Sequence, residues 1–201
     1  MFTTILTLSF AVQSVIIVLL VLLVRYLAID PGFGIKTRAA GELSAWLAWG
    51  PRWVVYGDID RLGLINDAFT TPQQSGHDRF NEIARWVVGQ LRDADIALVF
   101  GGDEWRLLQA PPRAESPKRW HAEQFCKRIQ QLLEAAPYTD RERERLFSAT
   151  GKCYVTITLA SAYSRGIWSH RAALHAAKVR VQLAKPKQGQ GQRGEILEAV
   201  V

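Results

Sequence analysis

The sequence predicts an α+β domain, an antiparallel sheet with helices packed on it, preceded by one N-terminal transmembrane helix. Three observations predict it. Residues 5–24 contain no charged side chain, and about twenty such residues span a bilayer core as a helix. Short apolar runs rich in β-branched and aromatic residues, Trp53-Val54-Val55-Tyr56 and Ile96-Ala97-Leu98-Val99-Phe100, read as buried strands. They alternate with amphipathic segments over 77–91 and 118–135. Phe80, Ile83, Ala84, Val87 and Leu91 recur at helical spacing in the first, and Ala122, Cys126, Ile129 and Leu133 in the second.

Taken in order, residues 1–29 form the anchor. A cleaved signal peptide needs a basic start and a small-residue cleavage site, and neither is evident. Arg25, Lys36 and Arg38 follow the apolar run and nothing basic precedes it. The positive-inside rule therefore places residues 30–201 in the cytoplasm, with the chain crossing the inner membrane once. No sensor domain fits between the two parts. Residues 38–49 read as a helix with Leu43, Trp46, Leu47 and Trp49 on its apolar side, and Pro51 ends it. A strand runs from there to Asp60, followed by a short helix bearing Leu62, Ile65 and Phe69, and a polar loop over 70–76. Pro111, Pro112 and Pro117 mark a later loop. The alternating run Arg141-Glu142-Arg143-Glu144-Arg145 reads as a solvated connection or helix end within 137–151. A strand over 152–161, a helix over 168–184 and a strand near 195–200 complete the chain.

Bulk properties narrow the class. The chain has 201 residues and a net charge of +6, with no low-complexity tract or internal repeat. Cys126 and Cys153 show neither a disulfide framework nor metal-ligand spacing, which suits a reducing compartment. The four histidines form no metal motif.

The chemistry concentrates at two strand ends. Gly101-Gly102 follows one apolar strand and precedes another, and glycine reaches the positive φ of a tight hairpin turn. Asp103 and Glu104 then sit at the tip. Upstream, Trp53-Val54-Val55-Tyr56-Gly57 runs straight into Asp58-Ile59-Asp60. Side chains alternate along a strand, so Asp58 and Asp60 point to the same side. If this strand lies beside the hairpin, three or four carboxylates converge and need a cation. All-oxygen ligands suit Mg²⁺ or Mn²⁺.

These two elements, in this order, resemble the GGDEF domain of diguanylate cyclases, a palm-type nucleotidyl cyclase fold. Asp30, Gly34 and Arg38 fall where that family has its opening D-x-L-T-G-L-x-N-R turn. Asn66-Asp67 matches its N-D pair, Val155-Thr156-Ile157-Thr158 its late V-T-x-S strand, and Ala184-Lys185 the A-K that ends its last helix. The resemblance covers about residues 30–201. It implies condensation of two GTP into cyclic di-GMP with release of pyrophosphate. Each domain holds one nucleotide, so a homodimer is implied as well. It also implies site roles. Asp58 and Asp103 hold the metal with the Ile59 carbonyl, and Glu104 assists as ligand or in activating the hydroxyl. Asn66 bonds the base, and Lys185 and Arg193 hold phosphate. Arg92 and Asp95 match an RxxD that forms a product-inhibition site in many cyclases, where arginine forks phosphate.

Departures from the family pattern keep alternatives open. Gly63 stands where the family has a lysine. The guanine-reading aspartate after a glycine is His77, following Gly76, with Asp78 one residue later. A histidine cannot accept from both N1 and N2 of guanine as a carboxylate does. One alternative is an ATP-using palm cyclase, since Asp58-Ile59-Asp60-Arg61-Leu62-Gly63 also resembles the D-x-D-x-x-G of polymerase subunits in CRISPR systems. Another is a degenerate domain that binds nucleotide or cyclic dinucleotide without turnover. The acid-free run of Lys178, Arg180, Lys185, Lys187 and Arg193 lacks interleaved aromatics. Anionic headgroups or nucleotide phosphates suit it better than nucleic acid.

Overall fold

The structure, a computed structural model, describes residues 12–23, 40, 44, 50–92, 95–100, 102–109, 119–184 and 194–198. The expected opening turn at Asp30–Arg38, most of the 38–49 helix, and Lys185 and Arg193 lie outside these residues. Residues 12–23 are helical. Among the described residues no helix is long and apolar enough to cross a membrane.

The first strand, β1 (Arg52–Ile59), is buried along its whole length. It lies at the centre of a five-stranded sheet of order β2-β3-β1-β4-β5. The others are β2 (Ile96–Phe100), β3 (Glu104–Gln109), β4 (Ile157–Ser164) and β5 (Ile196–Glu198). β1 pairs antiparallel with both β3 and β4, and β2 with β3. The expectation of an antiparallel sheet is corrected at one edge, where β5 runs parallel to β4, with Leu159 opposite Ile196. A parallel neighbour needs a crossover helix, which here is α5 (His170–Ala184).

Alternation along β1 sorts the core onto two faces. Val55 and Ile59, with Trp105 and Leu107 of β3, face four helices: α1 (Leu62–Phe69), α2 (Gly76–Gly89), α3 (Arg119–Ala135) and α4 (Asp140–Thr150). Their buried side chains include Phe69, Phe80, Ile83, Ile129, Leu133 and Leu146. Trp105 is fully buried, so it fills core space. Val54 and Tyr56 face the other way. They pack with Leu108, Ala160 and Ala162 against Ala173, Ala177 and Val181 of α5. Small residues there bring α5 close to the sheet.

Two expected boundaries move. The charged run at 141–145 lies within α4 and is not a connection. The Thr139 hydroxyl accepts from the Glu142 backbone N–H, and the Glu142 carboxylate accepts from the Thr139 N–H at 2.7 Å. This capping box starts the helix without an apolar stripe, and Gly151 at φ 78 ends it. The strand expected over 152–161 starts only at Ile157. Before it, the Thr150 hydroxyl bonds to both the N–H and the carbonyl of Lys152 and bends the chain.

Candidate active site

The C-terminal end of β1 meets the start of β3. Asp58 lies opposite Glu104 on one side and Thr158 of β4 on the other. The Ile59 N–H donates to the Asp103 carbonyl at 2.9 Å, carrying the ladder into the turn. Gly102 has φ +85, as the hairpin requires. Like charges directly opposite each other on neighbouring strands repel, and Asp58 is buried. The compensating group is Lys178 of α5, whose Nζ donates to Glu104 Oε1 at 2.7 Å and lies 5.6 Å from the Tyr56 ring centre. Burial works against ionising Glu104. Lys178, Tyr56 and the Arg106 charge together outweigh it and hold the carboxyl below its usual range. Burial first, and then the Glu104, Asp58 and Asp103 charges, push the Tyr56 hydroxyl well above its usual range. That hydroxyl is buried and has no partner at hydrogen-bonding geometry.

The expected convergence of three or four carboxylates does not form. Among the described residues no group of three or more His, Cys, Asp or Glu side chains is arranged to hold a metal ion. Asp60 is diverted. Its carboxylate accepts from the Thr158 hydroxyl at 2.8 Å and from the Gly194 N–H at 2.9 Å, tying β4 and the approach to β5 onto β1. Glu104 is taken by Lys178. Asp58 and the adjacent Asp103, which Glu104 can join by releasing Lys178, still fit a hard cation. Mg²⁺ is held by one or two carboxylates plus substrate phosphates more often than by an all-protein cage.

The turn after β1 is strained. Arg61 has φ 58 and ψ 40, the left-handed region that side chains disfavour. Its guanidinium is fastened to the Thr150 carbonyl at 3.1 Å. The turn opens into α1, which carries Asn66. The Asn66 Oδ1 is buried and has no hydrogen-bond partner. A methyl group placed on Gly76 would lie 1.8 Å from the Asn66 carbonyl oxygen, so only glycine lets α2 start this close to α1. His77 is the next residue. A methyl placed on Gly102 would lie 4.0 Å from His77 Cε1, so the imidazole borders the hairpin turn. Asn66, His77 and the Asp103 turn are thus brought together. Asp78 lies in the first turn of α2, where Ser75 is the cap: the Ser75 hydroxyl accepts from the Asp78 N–H at 3.1 Å and donates to the Asp78 carboxylate at 2.6 Å.

Arg92 and Asp95 lie at the opposite end of β2 from the turn. The Asp95 N–H donates to the Arg92 carbonyl at 2.9 Å, and the Arg92 side chain is exposed. The structure does not bring them to the carboxylates. Sequence reasoning missed Lys178 as a site residue. The signal was present, because Ala177-Lys178 is a second Ala-Lys pair two helical turns before Ala184-Lys185. It is Lys178 that reaches Glu104.

No family model matches the sequence, and no curated protein matches it either. Solved structures do. The GGDEF domain of TpbB (YfiN) from Pseudomonas aeruginosa is 24% identical, covering 86% of this chain and 94% of that one with a TM-score of 0.61. The coiled coil and GGDEF domain of DgcB from Caulobacter crescentus, solved with c-di-GMP, is 17% identical, with 96% and 97% covered and a TM-score of 0.64. The diguanylate cyclase SiaD from Pseudomonas aeruginosa, solved with its activator SiaC, is 20% identical, with 98% and 71% covered and a TM-score of 0.60. The chain has the GGDEF fold found in diguanylate cyclases.

Proposed function

We propose that the protein is a diguanylate cyclase-like nucleotidyltransferase that joins two GTP into cyclic di-GMP as a homodimer. The observation that carries this reading is the pairing of Asp58 with Glu104 beside the Gly102 turn, with a lysine at hand, on a GGDEF fold. Asp58, Asp103 and Glu104, with the Ile59 carbonyl, are the groups that hold Mg²⁺ or Mn²⁺. When bound, such an ion lowers the pKa of the attacking 3′-hydroxyl and neutralises charge on the α-phosphate. Each 3′-oxygen forms a bond to the partner nucleotide's α-phosphorus as the bond to pyrophosphate breaks.

The chain's own residues bind and orient. Lys185 and Arg193 hold phosphate, and Lys178 joins them, because an ammonium already beside Glu104 can turn to an incoming triphosphate. The unpaired Asn66 Oδ1 accepts from the base. Arg92 and Asp95 form a product site remote from the carboxylates. Residues 5–24 anchor the chain in the inner membrane, with the cyclase in the cytoplasm. Support comes from the uncharged run, and from a helix over 12–23 whose side chains are all exposed.

A second reading concerns the base. His77, not a carboxylate, borders the turn, and the Asp78 carboxylate is bonded to the Ser75 hydroxyl. ATP therefore competes as substrate, and a hybrid or adenine product becomes accessible. Incubation of the purified protein with labelled GTP, ATP or both, with Mg²⁺, and identification of the products tests both readings. Absence of any cyclic dinucleotide with every nucleotide and metal would leave only a nucleotide-binding domain.

A further inference from the structure

The helix α5 is apolar on more than its buried side. Ala173, Ala177 and Val181 pack on the sheet. The outward face carries Arg171, Ala172, His175, Ala176, Val179, Gln182 and Leu183, all exposed and none acidic. Leu183 is 80% exposed, and Trp168, in the turn that leads into α5, is 88% exposed. A surface helix ordinarily turns a charged and polar face to water. One that offers apolar and basic groups instead needs a covering. The charge pattern continues beyond the helix, since no Asp or Glu occurs between Glu144 and Glu195. Arg165 is also exposed beside Trp168.

We propose that the outer face of α5, with Trp168 and Arg165, docks on an anionic lipid surface. Basic residues and tryptophan together are the composition of a helix lying in the headgroup plane. A nucleic acid would satisfy the arginines but has no use for Leu183 and Val179. The position also fits. Arg52, at the start of β1, pairs with Ser164, the last residue of β4. Trp168 therefore lies at the end of the sheet where β1 begins, the end nearer in sequence to the apolar N-terminal run. The proposal adds an orientation to the anchoring reading and is testable apart from it.

The test uses the full chain with vesicles of phosphatidylcholine alone or mixed with phosphatidylserine, each with brominated acyl chains. Flotation with neutral vesicles that resists high salt reports the anchor. Docking is reported by tryptophan quenching that requires phosphatidylserine, weakens with salt, and is absent in Trp168→Phe. Reversal of Arg165 and Arg171 to Glu should weaken the phosphatidylserine-dependent component by roughly fivefold or more per residue. Leu183→Glu should weaken it without changing the melting temperature. Quenching that is equal in wild type and Trp168→Phe, or indifferent to lipid charge, overturns the proposal. So does protection of the face by single-stranded RNA or by self-association in place of lipid. Loss of salt-resistant flotation alone removes the anchor and leaves the docking result to stand.

Discussion

Glu104 is a half-buried carboxylate opposite a buried one, and its ionisation depends on Lys178. Lys178→Met should destabilise the metal-free protein by about 1 kcal/mol, the scale of a partly exposed ion pair. Thermal melts in chelator and in Mn²⁺ check this, with the deficit expected to shrink when the cation is supplied. The pH dependence has a definite sign. Because the folded Glu104 pKa is depressed, its contribution is fully present above the ordinary carboxylate range and is lost as pH falls through the folded value. Wild type and variant should therefore converge in acid and differ at neutral pH. At the reacting end, Asp58→Ala or Asp103→Ala should abolish cyclic dinucleotide synthesis while the fold persists, since removing one of several like charges relieves repulsion. Near-normal turnover in either would sink the assignment of the site. His77→Asp should sharpen the preference for GTP over ATP by roughly ten- to a hundredfold, the worth of one bidentate base contact. Competition assays showing no change would mean the base is read elsewhere.

Elements here are held by caps and close approaches as much as by apolar stripes. In α4 only Leu146 is buried, so the capping box and one ion pair carry the helix. Arg79 of α2 donates to Glu142 at 2.6 Å, to Glu82 at 2.7 Å and to the Pro137 carbonyl. Burial would raise the Glu142 pKa, but the Arg79 hydrogen bond and the Thr139 N–H lower it below its usual range. Thr139→Ala should cost about 1 kcal/mol. Glu142→Gln should cost about 2 kcal/mol at neutral pH, where the charge-assisted bonds are made, and progressively less as acid protonates the wild-type residue. Urea titrations across that range read both. Gly76→Ala is a harsher change, because its methyl meets the Asn66 backbone. A loss of about 3 kcal/mol is expected, and α1 can yield only by moving Asn66.

At the scale of the whole molecule, two faces of one sheet do different work. The thick side buries aromatic and branched residues under four helices. The thin side, with alanines, holds α5 close enough for Lys178 to reach across to β3. On the proposed reading each copy holds one nucleotide, so specific activity should rise with enzyme concentration until the dimer saturates. A rate per molecule that is constant down to high dilution would argue against turnover across two copies. The anchoring reading predicts that a reporter fused to the C-terminus is active only when it is a cytoplasmic one.

The sequence by itself determined much of this protein. Alternation and helical spacing are local, so β1, the β2–β3 hairpin, α2 and α3 were legible, as was the placing of Asp58 and Asp103 at adjoining strand ends. Tertiary structure decided which groups these residues meet. Alternation puts Asp58 and Asp60 on one side, yet Asp60 is withdrawn by Thr158 and Gly194, the latter 134 residues away. Ala177-Lys178 and Ala184-Lys185 look alike in sequence, and only the position of α5 across the sheet brings Lys178 to Glu104. The alternating charges of α4 carry no apolar period, and a partner 63 residues distant completes that helix. Side-chain spacing fixes the face on which a residue stands, whereas its partner comes from chain packed beside it from far along the sequence.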